Sequence, residues 1–156
     1  MNKFKQLLNT FLAYLSAALL TTMATLVVIQ VFTRYVMGNP STYTQELVRI
    51  ILIWTSFLGA SYAFGTRQHM ALVFLKEKLT GARKKILYIF IDILILSFAV
   101  IVLINGGYKI VMDVMAIKTP VLGVSRGLIY LAAPISGVII AIYQLMNIKE
   151  DLEMTD

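Results

Sequence analysis

The 156-residue chain is 59% hydrophobic and only 14% charged, whereas soluble domains carry about 25% charged residues, so water is not its main solvent. Its net charge of +6 comes from basic residues that flank apolar runs and build no aromatic-laced polar face. That excludes nucleic acid as a partner and favours anionic phospholipids. Without cysteine and with a single histidine, His69, disulfides, thiolate catalysis and Cys- or His-rich metal sites are excluded, and no cofactor is expected.

The fold class expected is an all-α membrane protein, with four transmembrane helices and a short interfacial helix in one domain covering residues 1–156. A bilayer core about 30 Å thick needs about 20 apolar helical residues per crossing, and four such runs fill most of the chain. The first, residues 11–36, follows a short basic leader and continues well past the length of a signal-peptide core, so it reads as a retained span. Gly38-Asn39-Pro40-Ser41 then reverses the chain. The second span, residues 44–64, opens with Thr44 as its expected cap. Residues 67–79 are too short to cross, but Leu72, Leu75 and Leu79 share a helical stripe, as expected of a helix lying in the interface plane. The third span covers residues 86–108. Thr119-Pro120 and Gly123 then break the chain before the fourth, residues 127–148, and the acidic tail is expected to fray.

Orientation follows from the lysines and arginines, which accumulate in short cytoplasmic loops. Nine of the fourteen lie with the termini and the central loop, against Arg34, Arg49, Lys109, Lys118 and Arg126 on the other side. This places both termini in the cytoplasm of a cell with an inner membrane.

Few residues offer chemistry. Arg34, Glu46 and Arg49 end and open neighbouring helices, so a tight turn is expected to gather them near the outer surface, as a docking point or as plain helix-end anchoring. Asp92 lies about two turns inside the third span, where an ionised carboxylate needs a partner; pairing with a neighbouring helix is preferred to an ion relay, because only Ser97 and Asn105 accompany it. Gly59 with Ala63, and Ala133, Gly137 and Ala141, have the spacing of close-packing seams, within the chain or against another. Pro134 removes an amide donor inside the fourth span and is expected to kink it. Trp54 is too deep for an interfacial belt and is expected to pack against another helix with its indole N–H paired. Nothing resembles a nucleophile with its base, so no enzyme is expected. A four-helix drug exporter would need a carboxylate in its first helix, which is missing.

The run Gln30-Val31-Phe32-Thr33-Arg34-Tyr35-Val36, the Asn39-Pro40 turn and Gln45-Glu46-Leu47-Val48-Arg49 leading to Trp54-Thr55-Ser56-Phe57-Leu58-Gly59-Ala60 resemble the small membrane subunit of tripartite ATP-independent periplasmic (TRAP) transporters. Arg67 with His69, and Thr119-Pro120-Val121-Leu122-Gly123-Val124-Ser125 followed by Tyr130 and Pro134, are similar to the same family. The sequence departs from it at Ala71-Leu72-Val73-Phe74, where the family often carries an acidic residue. The resemblance implies a scaffold subunit beside a large multi-span membrane subunit, which holds the substrate and sodium sites, and a periplasmic substrate-binding protein. It implies sodium-driven uptake of an organic anion such as a dicarboxylate or sialic acid. A membrane-assembly or lipid-organising protein without a transport role is the alternative.

Overall fold

The computed structural model describes residues 3–39, 41–66 and 82–153, with side chains from residue 86 onward in the last stretch. The expected interfacial helix at 67–79, with Arg67 and His69, lies outside the described residues. Among the described residues four helical rods are long and apolar enough to cross a membrane: Lys3–Tyr35, Thr42–Gly65, Ile86–Val114 and Arg126–Leu152. No strand occurs among the described residues, only an isolated antiparallel bridge between Lys118 and Ser125.

Helix α1 (Lys3–Tyr35) runs for 33 residues and starts eight residues before the expected span. Its leader is held instead of frayed, because Lys5 is buried and bonded to the end of the fourth span. Gly38 ends it in a left-handed turn (φ 64°), a conformation that is cheap only without a Cβ, and Asn39 N–H returns to the Thr33 carbonyl at 3.2 Å. Helix α2 (Thr42–Gly65) begins two residues before the expected start. Its cap is Ser41, not Thr44: Ser41 has extended backbone and its hydroxyl accepts the Thr44 amide, as an N-cap must.

The third rod is α3 (Ala82–Phe98), a π-helical segment π1 (Ala99–Gly106) and α4 (Gly107–Val114). It outlasts the expected end at 108 because Gly107 and Val111 still have a face to bury. The fourth rod divides into α5 (Arg126–Tyr130) and α6 (Ala132–Glu153) at Leu131. Pro134 accounts for it: it has no amide to return to the Tyr130 carbonyl. The α-helical pattern is thus interrupted at Leu131, three residues upstream of the proline itself.

Contacts place α1 on α2, α2 on α6, and α6 on both α3 and π1, while α4 meets α5. The fourth rod is thus central. In its most apolar stretch 39% of residues are buried, against 6, 17 and 11% in the first three. Leu12, Leu58 and Tyr143 join three rods in one cluster, with Trp54, Tyr62 and Ile139 packed on it. Glycines set the closest approaches. A Cβ on Gly65 would meet the Tyr143 ring at 2.5 Å, and one on Gly137 would meet Leu103 Cβ at 2.8 Å. Small residues are what let helices associate where lipid supplies no hydrophobic drive between them.

Candidate functional site

Where α2 and α5 begin, the segment 117–126 folds into a compact reverse loop. Thr119 N–H donates to the Val124 carbonyl at 2.8 Å, Gly123 N–H to the Thr119 carbonyl at 3.1 Å, and Arg126 N–H to the Ile117 carbonyl at 2.8 Å. The buried Thr119 hydroxyl accepts the Val124 amide at 3.1 Å. This closure leaves the consecutive amides of Val121 and Leu122 without loop acceptors, a concave pair of donors suited to an anion. Glu46 fills it: its Oε2 accepts Val121 N–H at 3.0 Å and Leu122 N–H at 3.3 Å, while Oε1 is enclosed.

The expected cluster of Arg34, Glu46 and Arg49 forms only in part: Glu46 and Arg49 line one cleft, and Arg34 is not part of its lining. No ion pair among the described residues joins Glu46 to either arginine; two fixed amides hold the carboxylate instead. Arg34 is exposed and lies over the ring of its neighbour Tyr35, 5.6 Å from the centroid. Arg49 faces a cleft of about 420 Å³ bounded by α2, the loop and α5, which it shares with Arg126, Gln45 and Tyr130. Sequence reasoning missed this destination for Glu46. The available signal was Pro120, which lacks an amide, followed by two amides that a Gly123 turn cannot use.

Deeper in the bundle the polar groups serve helix packing. Ser136 and Ser61 lie 2.6 Å apart, and the Phe57 carbonyl accepts from them at 2.8 and 2.9 Å, tying α6 to α2. At the opposite end of the bundle Tyr143 donates to Asn9 Oδ1 at 2.5 Å, and Lys5 donates to Asn147 Oδ1 at 2.8 Å and Glu150 Oε2 at 2.7 Å. The acidic tail, expected to fray, is helical to Glu153, with Asp151 buried. Ion pairing and burial outweigh end fraying there.

The remaining expected residues separate clearly. Trp54 packs on the Leu12–Leu58–Tyr143 cluster as expected, although no hydrogen bond to its indole is present among the described residues. Asp92 is 1% exposed and is not without a partner. Pro134 abuts Gly107, whose absent Cβ would lie 3.0 Å from the proline Cδ, and Gly137 abuts π1. Gly59 differs: a Cβ there would meet nothing within 4 Å, so no described residue packs closely against it. The described residues contain no group of three or more metal-ligating side chains.

Residues 23–154 match the DctQ component of tripartite ATP-independent periplasmic transporters. A Haemophilus influenzae protein assigned as a TRAP transporter small permease protein is 28% identical over 141 residues, covering 90% of this chain and 87% of that protein. The sialic acid TRAP transporter small permease protein SiaQ of Vibrio cholerae is 22% identical over 145 residues, covering 92% of this chain and 83% of its own length. With a family match across most of the chain, four membrane-length helices and polar groups spent on holding them together, this protein belongs to the DctQ family of TRAP transporter small permease subunits.

Proposed function

We propose that this chain is the stationary scaffold of a sodium-driven uptake system for an organic anion. A large membrane subunit carries the substrate and ions, and a periplasmic protein delivers the substrate. The observation that supports this reading is the use made of polar side chains. Ser61, Ser136, Tyr143, Asn9, Lys5 and Glu46 all bind other parts of the same chain. A carrier gathers unpaired polar groups at mid-membrane to replace hydration of ion and substrate, whereas a scaffold needs them to fix helix against helix. Ser16 Oγ, Thr55 Oγ1 and Gln144 Oε1 are buried without a hydrogen-bond partner among the described residues, and the six residues above that bind across the chain outnumber them. Sialic acid, named for the Vibrio relative, lies within the proposed substrate class. Both termini face the cytoplasm and the Glu46 loop faces the periplasm, in keeping with the lysine and arginine bias.

Reconstitution tests the proposal. In proteoliposomes with a sodium gradient, the purified chain alone should move no organic anion, and addition of the large subunit and the binding protein should give sodium-dependent uptake. Saturable transport by the chain alone, or full activity of the large subunit without it, would reject the scaffold role.

A further inference from the structure

We infer that the outer cleft between α2 and the 119–130 segment is a binding site for one phospholipid, seated by its headgroup phosphate. The cleft, about 420 Å³, lies within the size range of small-ligand sites. Its two walls repeat one arrangement. On α2, Arg49 lies toward the outer end and Ile53 about one turn deeper; on α5, Arg126 opens the helix and Ile129 lies about one turn deeper. Both walls therefore present a guanidinium at headgroup depth above a branched aliphatic side chain at acyl depth.

Charge fits the same ligand. The lining holds two arginines and one carboxylate, Glu46. Glu46 is already committed to the Val121 and Leu122 amides and its second oxygen is enclosed, so it shapes the loop wall as a positioning residue. Arg49 and Arg126 have no ion-pair partner among the described residues. The single excess positive charge matches the single negative charge of a phosphodiester, and two guanidiniums from separate elements can each offer paired N–H groups to phosphate oxygens. An inorganic phosphate would satisfy the arginines and leave the isoleucine floor empty. A soluble protein would meet only the rim. A phospholipid fills both levels, and Tyr130 on the same wall has the amphipathic character of a headgroup-level side chain.

The test uses the full chain in mild non-ionic detergent, with native mass spectrometry after addition of phosphatidylethanolamine or phosphatidylglycerol. About one phospholipid should remain per chain, and the double substitution Arg49→Gln/Arg126→Gln should lower its occupancy at least about tenfold, as loss of charge-assisted contacts predicts. Arg34→Gln/Lys118→Gln, which removes equal charge from outside the cleft, should retain the lipid as wild type does. Undiminished retention in the arginine double variant, or equal loss in the control, would overturn the assignment. So would displacement of the lipid by inorganic phosphate or glycerol phosphate at matched concentration, which would identify a soluble-anion site. Should the double variant fail to fold, a photoreactive residue at Ile129 in the otherwise native chain decides the matter: cross-linking to phospholipid supports the site, and cross-linking only to polypeptide refutes it.

Discussion

Replacing Gly137 by alanine probes the tightest contact between the central rod and the π-helical segment. The new Cβ would lie 2.8 Å from Leu103 Cβ, 2.9 Å from Ile104 Cγ1 and 3.2 Å from the Ala99 carbonyl oxygen. Carbon atoms prefer separations of about 3.5–4.0 Å, so the nearer pair falls short by about 0.7 Å or more. Leu103 Cβ is fixed to the backbone and cannot rotate away; relief requires α6 and π1 to separate, which also strips dispersion contacts along the seam. Overpacking of this kind costs about 1–3 kcal/mol. Gly59→Ala supplies the control, because its Cβ would meet nothing within 4 Å and the isolated chain should keep its stability. Reversible unfolding in mixed detergent micelles, followed by tertiary signals, measures both. Gly137→Ala as stable as wild type would refute the packing argument, since no flexible side-chain end is available to absorb the clash.

Three further outcomes follow from the hydrogen bonds and the charge pattern. Glu46→Ala should release the 119–125 loop and speed amide exchange at Val121 and Leu122 severalfold, with Glu46→Gln intermediate because it keeps an acceptor oxygen; exchange unchanged in Glu46→Ala would mean the loop holds itself. Lys5→Met should cost about 1–2 kcal/mol, discounted because Glu150 is 34% exposed, and should open the start of α1 to proteolysis; wild-type resistance would show that packing alone holds it. Single cysteines at Asn39 and Val121 in this cysteine-free chain should react with an impermeant reagent in intact cells while one at Lys3 should not, and the reverse pattern would invert the proposed topology.

The spans were legible because apolar run length is set by bilayer thickness, a constraint that acts on composition directly. Trp54 and Pro134 were legible for the same kind of reason: a deep indole must pack, and a missing amide must break a helix. Glu46 was not. Its sequence neighbours Arg34 and Arg49 suggested an ionic cluster, but its partners lie 75 and 76 positions away and are backbone amides, which carry no side-chain signature. Lys5 was hidden similarly: a lysine near a basic leader reads as solvated, and only the docking of α6 brings Asn147 and Glu150 beside it. The π-helical segment could not be anticipated from composition, since Ala99–Gly106 is more apolar than the α-helix before it and apolarity marks a span, not the pitch of its helix. Gly137 was identified as a seam residue without its opposite wall.

The length of α1 has a mechanical consequence. Its 33 residues measure about 50 Å along the axis, well beyond the about 30 Å hydrocarbon core. Its N-terminal end is bolted to the central rod through Lys5 and Asn9, and its C-terminal end returns within a few residues into α2. Independent tilting is therefore closed to it: the rod can lean only together with the bundle, and its polar end turns, with Lys3, Lys5 and Arg34, extend past the apolar core toward headgroup level. The lean of the longest helix is thus a property of the whole bundle and not of that helix alone.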